Sequence, residues 1–309
     1  MKYLKKNALI LLFLLLACLF TIKIYYDSKL YIKWENNGIE IAKEACMKIQ
    51  EEELEVDEYT KQECEMYLSG NYLLKNENFF IKFLNLYMSE FQFFNLVACI
   101  VLFILSIKGV SEIFRNRVSL LMLKRENYSK FIKKIIFTMY RYVWFWPLTM
   151  LLILLVCMIN SNFDPNLIKN IGFSYTDFLM NNVFLFVILY LLNIFIFSAI
   201  YLNIALIVVR RQHNYLLAIL ESFLLVIAIE LFFEIGVNGL FFQIFFKNNN
   251  IGSIFNIVNA FAFNVAEYGV GVLFVFSISC LILSSLFVYL SYRNKEKLII
   301  DCEKNTDRS

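Results

Sequence analysis

The stretch Lys108–Lys134, KGVSEIFRNRVSLLMLKRENYSKFIKK, carries eight basic side chains against only Glu112 and Glu126. Long apolar runs flank it, Phe91–Ile107 before and Ile135–Ile159 after. Each run is long enough to cross a bilayer as a helix. A basic loop between two spans belongs on the cytoplasmic side, where Lys and Arg are in excess. The stretch therefore predicts a helical membrane protein and fixes its expected orientation.

Four more apolar runs lie further out: Ala8–Tyr26, Val183–Val209, Tyr215–Ile235 and Tyr268–Tyr292. Of the 309 residues, 60% are hydrophobic and 18% charged, more apolar surface than a soluble domain of this size can hide. A membrane β-barrel needs short segments of alternating hydrophobicity, and this pattern is absent. The expected fold class is an all-α polytopic membrane bundle of six transmembrane helices with a small extracytoplasmic helical loop region. The divisions are residues 1–26, the N-terminal tail and first span; 27–90, an extracytoplasmic loop region; 91–292, the membrane domain; and 293–309, a cytoplasmic tail. Lys2, Lys5 and Lys6 before Ala8–Tyr26 give the charge order of a signal peptide. The apolar run continues past Cys18 and no small-x-small site precedes its polar end, so it reads as an uncleaved span.

Charge is distributed by side. The clusters Lys2–Lys6, Lys108–Lys134, Arg210–Arg211 and Arg293–Lys297 all fall on one face of a six-span layout, with both termini cytoplasmic. The loops Asn160–Asn182 and Asn238–Glu267 hold one Lys each. Asp27–Glu90 holds 14 acidic residues and 7 Lys. This asymmetry is topological and gives no reason to expect nucleic-acid binding. The abundance of Ile, Asn, Lys and Phe fits an AT-rich coding bias, and the expected location is a bacterial plasma membrane.

Within 27–90, Ile39, Ala42, Cys46 and Ile49 recur at helical spacing and predict an amphipathic helix. Cys46 and Cys64 share this loop; they read either as a disulfide or as two buried thiols. The seven Cys include no CxxC and no Cys/His cluster, so no metal site or cofactor is expected. No catalytic constellation is evident, and an enzyme is not expected. Two short apolar pieces within 236–267, around Lys247–Asn250, read either as a re-entrant hairpin or as helices lying flat on the outer leaflet. Pro147 predicts a kink in the third span. Asn193 and Asn203 are candidate interhelical hydrogen-bonders in the fourth.

Glu221, Glu230 and Glu234 stand in the fifth span, where a carboxylate is costly unless it faces the bundle or water. Glu230 and Glu234 are one turn apart and should share a face. The three read either as the polar wall of a substrate pathway or as interfacial groups with only Glu230 deep.

In the basic stretch, Tyr128, Phe131, Ile132, Ile135 and Ile136 form one apolar stripe opposite Lys130, Lys133 and Lys134. Asn127 is placed to cap that helix. Phe114, Val118, Leu121 and Met122 form a second stripe upstream. The loop thus predicts two short amphipathic helices with a break at Lys124–Asn127.

Glu112 followed by Val118–Lys134 resembles the region after the second span in ABC-2-type transporter permeases, as does the six-span layout. In those permeases a Glu-led helix reaches a short run of leucines, a basic residue, a turn and further basic residues. Here Asn116-Arg117-Val118 replaces the Gly-Thr common after the Glu, and Glu126 stands where Pro is common. The resemblance implies that Glu112, Arg117, Lys124, Arg125 and Lys130 contact a cytoplasmic ATPase subunit. It further implies that a second permease subunit completes the pathway, as a homodimer or heterodimer, and that the direction is export. The alternative for the basic loop is that it grips anionic lipid heads, and the other functional reading is a non-transporting accessory, immunity or sensory membrane protein whose acidic outer loop binds a partner.

Overall fold

The computed structural model describes residues 2–52, 57–69, 97–114, 127–160, 183–212, 214–245, 270–296 and 298–299. All regular structure among these residues is helical. In chain order the helices are α1 (Lys2–Glu51), α2 (Glu58–Leu68), α3 (Val97–Phe114), α4 (Tyr128–Tyr140), α5 (Phe145–Asn160), α6 (Val183–Arg211), α7 (Tyr215–Leu231) and α8 (Val270–Tyr292). Past Leu231, α7 winds on as a π-helix over Phe232–Phe245.

Five helical stretches are long and apolar enough to cross a membrane: Val97–Phe114, Tyr128–Leu152, Val187–Arg211, Tyr215–Val237 and Gly271–Tyr292. The fold is that of a multi-pass helical membrane protein. The run Ala8–Tyr26 lies inside α1, which is helical throughout.

The fourth apolar run becomes the central post. Helices α4, α5, α7 and α8 all pack on α6. The α6 span is 83% buried, against 17% for α7 and 22% for α8, so α6 is the one helix enclosed on nearly all sides. The outer faces of α7 and α8 carry exposed Leu220, Leu224, Ile282 and Leu286. Apolar surface of that extent is stable against lipid and not against water.

Lipid offers no hydrogen bonds, so polar groups in such a bundle must satisfy one another. Asn203 does this for three helices. Its Oδ1 accepts from the Tyr140 hydroxyl of α4 at 2.6 Å. Its Nδ2 donates to Ser284 Oγ at 3.0 Å and Ser285 Oγ at 3.1 Å, both on α8. Ten residues earlier, Asn193 Oδ1 accepts from Ser277 Oγ at 2.9 Å. Tyr292 OH donates to the Leu206 carbonyl at 2.8 Å, and Tyr215 OH ties α7 to the Ile104 carbonyl of α3 at 2.9 Å. Both asparagines are thus interhelical bonders, as their position in an apolar run suggested.

The third span breaks where a kink was expected. Helix α4 stops at Tyr140 and α5 starts at Phe145, with Pro147 in its first turn. A proline ring collides with the carbonyl four residues back, here that of Val143, but is tolerated in a helix's first turn. The chain tightens before it: the N–H groups of Tyr142, Val143 and Phe145 bond the carbonyls three residues back at 3.3, 3.0 and 3.0 Å. Arg141 caps α4, stays exposed and lies over the Tyr142 ring.

Outside the bundle, α1 and α2 pack as a helical hairpin. Ile39 and Cys46 are buried at their contact. Asp57 caps α2 by accepting from Thr60 N–H at 3.2 Å and from the Thr60 hydroxyl. The hydroxyl first, and then the N–H, hold the Asp57 carboxyl below its usual range. A disulfide joins Cys46 to Cys64 with Cα atoms 5.4 Å apart.

Asn203→Ala should destabilise the bundle by about 1–3 kcal/mol, since interhelical bonds of this kind contribute roughly 0.6–1.7 each. Tyr140→Phe, which removes one bond of the set, should cost about 1 kcal/mol or less. Unfolding midpoints in detergent check both, and an Asn203→Ala protein as stable as the parent rules out the tie.

Candidate functional site

Two regions gather the residues singled out in the sequence. The first is the end of the bundle where α3 runs toward α4. Phe114 closes α3 and Phe131 sits in the first turn of α4; both are fully buried, and their rings meet edge to face with centroids 6.4 Å apart. Asn127 caps α4, its side chain accepting from Ser129 N–H at 3.2 Å. Phe131 and Ile135 are buried, Tyr128, Ile132 and Ile136 half-buried, and Lys130, Lys133 and Lys134 exposed. The apolar stripe and its basic back are therefore as the spacing of residues 128–136 required. Glu112 is also exposed, two residues before the end of α3. Arg117, Lys124 and Arg125, with the break at 124–126, lie outside the described residues.

The approach of α3 to α4 is close. A methyl group at Gly109 would stand 3.1 Å from Thr138 Cγ2. The Tyr128 hydroxyl reaches the Tyr292 carbonyl, so the α4 start is also tied to the end of α8. Arg210 was placed with Arg211 in a basic cluster on the cytoplasmic face. It is buried at 7% exposure, with its guanidinium 5.9 Å from the Tyr292 ring centre. Helix α8 covers it, and a guanidinium can lie against an aromatic face.

The second region is a cavity of about 430 Å³ between α6, α7 and α8. Glu230 contributes its one carboxylate. Its walls are apolar, with Phe197 and Tyr201 from α6, Phe232 and Phe233 from the α7 extension, and Phe287 from α8. Phe233 is held by two edge contacts, each with centroids 5.8 Å apart, to Phe232 and to Phe276. A concavity of this volume accommodates a drug-sized ligand.

The three fifth-span carboxylates part company. Glu230 is half-buried and lines the cavity, whereas Glu234 is exposed and stands outside it. Glu234 lies beyond Phe232, where the winding changes from α to π, so the two carboxylates stand in differently wound parts of the helix. Glu221 is exposed near the start of α7 and accepts a hydrogen bond from Gln212 Nε2 at 3.3 Å. Residues 236–245 continue this helix without a turn, and the rest of the 236–267 piece lies outside the described residues.

The aromatic lining was not read from the sequence. Phe197, Tyr201 and Phe287 sit in runs so uniformly apolar that periodicity marks no preferred face. Ser284-Ser285, the one pair of adjacent serines in α8, was the available signal for the inward side of that helix.

Comparison of the chain with protein-family models, with curated proteins and with solved structures gives no match.

Gly109→Ala should be close to neutral, because the roughly 1 kcal/mol of helix propensity gained offsets a small shift of Thr138. Gly109→Ile should force α3 and α4 apart and cost about 1–3 kcal/mol by overpacking. Comparing the two unfolding midpoints separates close approach from propensity. Cys46 and Cys64 should resist maleimide labelling under denaturing conditions until a reductant is added. Cys46→Ser with Cys64→Ser should lower stability of the α1–α2 hairpin by about 3 kcal/mol, given a sequence separation of 18 between the joined positions.

Proposed function

We propose that this chain is the membrane subunit of an ABC-2-like export permease, driven by a separate ATPase subunit. The observation that carries the reading is the α3–α4 end of the bundle. Phe114 against Phe131 pins the two helices, while Glu112, Lys130 and Lys133 stand exposed around the base of the connecting segment. A charged, rigidly based element is what a cytoplasmic partner needs to move a helix pair, and it agrees with the resemblance carried by Glu112 and Val118–Lys134. The chain has no Gly-rich phosphate loop, so the nucleotide would bind to the partner. The Glu230 cavity supplies a place for cargo within the bundle, and a second permease subunit would complete the pathway.

In this reading the bundle has six spans, with the start of α1 as the first and both termini cytoplasmic in a bacterial plasma membrane. The α1–α2 hairpin then stands outside, in the oxidising compartment where the Cys46–Cys64 disulfide is stable.

A second reading has its own observation. The disulfide-joined hairpin exposes Glu40, Glu44, Glu51, Glu52 and Glu58, an acidic outer surface that suits an accessory, immunity or sensory protein recognising a basic partner.

Tagged chain purified from its own membrane should bring down an ATPase subunit. The pair Arg125→Glu and Lys130→Glu should reduce that yield by at least about tenfold, since reversing charges in an interface costs several kcal/mol. Absence of an ATPase, or an unchanged yield from the charge-reversed protein, sinks the permease reading in favour of the second.

A further inference from the structure

The Glu230 cavity has a chemistry that narrows its occupant. It lies within the apolar part of α6, α7 and α8, and Glu230 is the only charged residue among the described residues that line it. Among the described residues that line it there is no Lys, Arg or His. Around it stand Phe197, Tyr201, Phe232, Phe233 and Phe287. A carboxylate inside a bilayer is costly and is retained where it meets a counter-charge. Aromatic faces attract cations, the more so when water is excluded. An anion would meet repulsion from Glu230 and from the ring faces alike. A neutral lipid tail would leave the carboxylate without a counter-charge.

The winding of α7 changes beside the same residue. The π-helix begins at Phe232, two positions after Glu230, and both Phe232 and Phe233 line the cavity. Such turns are frequent at functional sites, where they re-aim side chains that an α-helix would send elsewhere.

We infer that this cavity is a binding site for a lipophilic organic cation, with Glu230 as its counter-charge and the surrounding rings as its walls. As a substrate class this rests on the transport reading. As a binding site it stands without an ATPase, so co-purification and ligand binding fail independently.

The test uses the full chain in nanodiscs and two probes of nearly one shape, tetraphenylphosphonium and tetraphenylborate, with empty nanodiscs subtracted. Equilibrium dialysis should show saturable binding of the phosphonium and none of the borate. Glu230→Gln should weaken phosphonium binding by about tenfold or more, and Glu230→Asp by less. On the unaltered protein, the phosphonium should also slow modification of Glu230 by a hydrophobic carbodiimide, read by peptide mass, and the borate should not. That measurement holds even where a Glu230 variant fails to fold. Equal binding of the two probes, phosphonium affinity unchanged in folded Glu230→Gln, or carbodiimide modification indifferent to the phosphonium would overturn the proposal.

Discussion

The bundle depends on the carboxamide of Asn203. A helix as apolar as α6 gains little from apolar neighbours when lipid tails are equally apolar. What distinguishes one neighbour from another is a hydrogen bond that lipid cannot supply. Asn203 makes three, to Tyr140 on α4 and to Ser284 and Ser285 on α8. It thereby fixes the rotation of both helices about their own axes. Asn193 repeats the device toward α8 three turns earlier, through Ser277. With α8 so rotated, Ser284 and Phe287 face the space that Glu230 enters from α7.

Much of the fold was legible because hydropathy and charge act over long windows. Five of the expected spans, the basic back of α4, the cap at Asn127 and the bonding role of Asn203 follow from what an apolar medium does to a polar group. The Cys46–Cys64 pairing was open in the sequence because spacing places two thiols in one loop but does not bring helices together. The details that escaped depend on rotation between helices. Arg210 is buried because α8 happens to cover that face, which nothing in Arg210-Arg211 signals. Pro147 was read as a kink within one helix. The strain is taken up instead by a tightened stretch upstream, which leaves the proline in the first turn of a new helix.

The candidate site divides the same way. That a glutamate deep in the fifth run needs a reason was plain from its cost in lipid. Which of the three lines a cavity was not, because that depends on how α7 is rotated against α6 and α8. The α3–α4 end was better specified, since its stripe is amphipathic and therefore periodic. Phe114 and Phe131 close it on the apolar side, and the close approach at Gly109 sets its width.

Helix α1 has a mechanical consequence. Its 50 residues make a rod about 75 Å long, against a hydrocarbon layer of about 30 Å. In the proposed six-span reading more than half of it extends beyond the layer, with the Cys46–Cys64 staple near the distal end. A rod held at one end magnifies angle into displacement. A tilt of about 10° at the base would sweep the far end through roughly 13 Å for a helix of that length. The disulfide keeps α2 locked to the moving tip, so the hairpin travels as one piece.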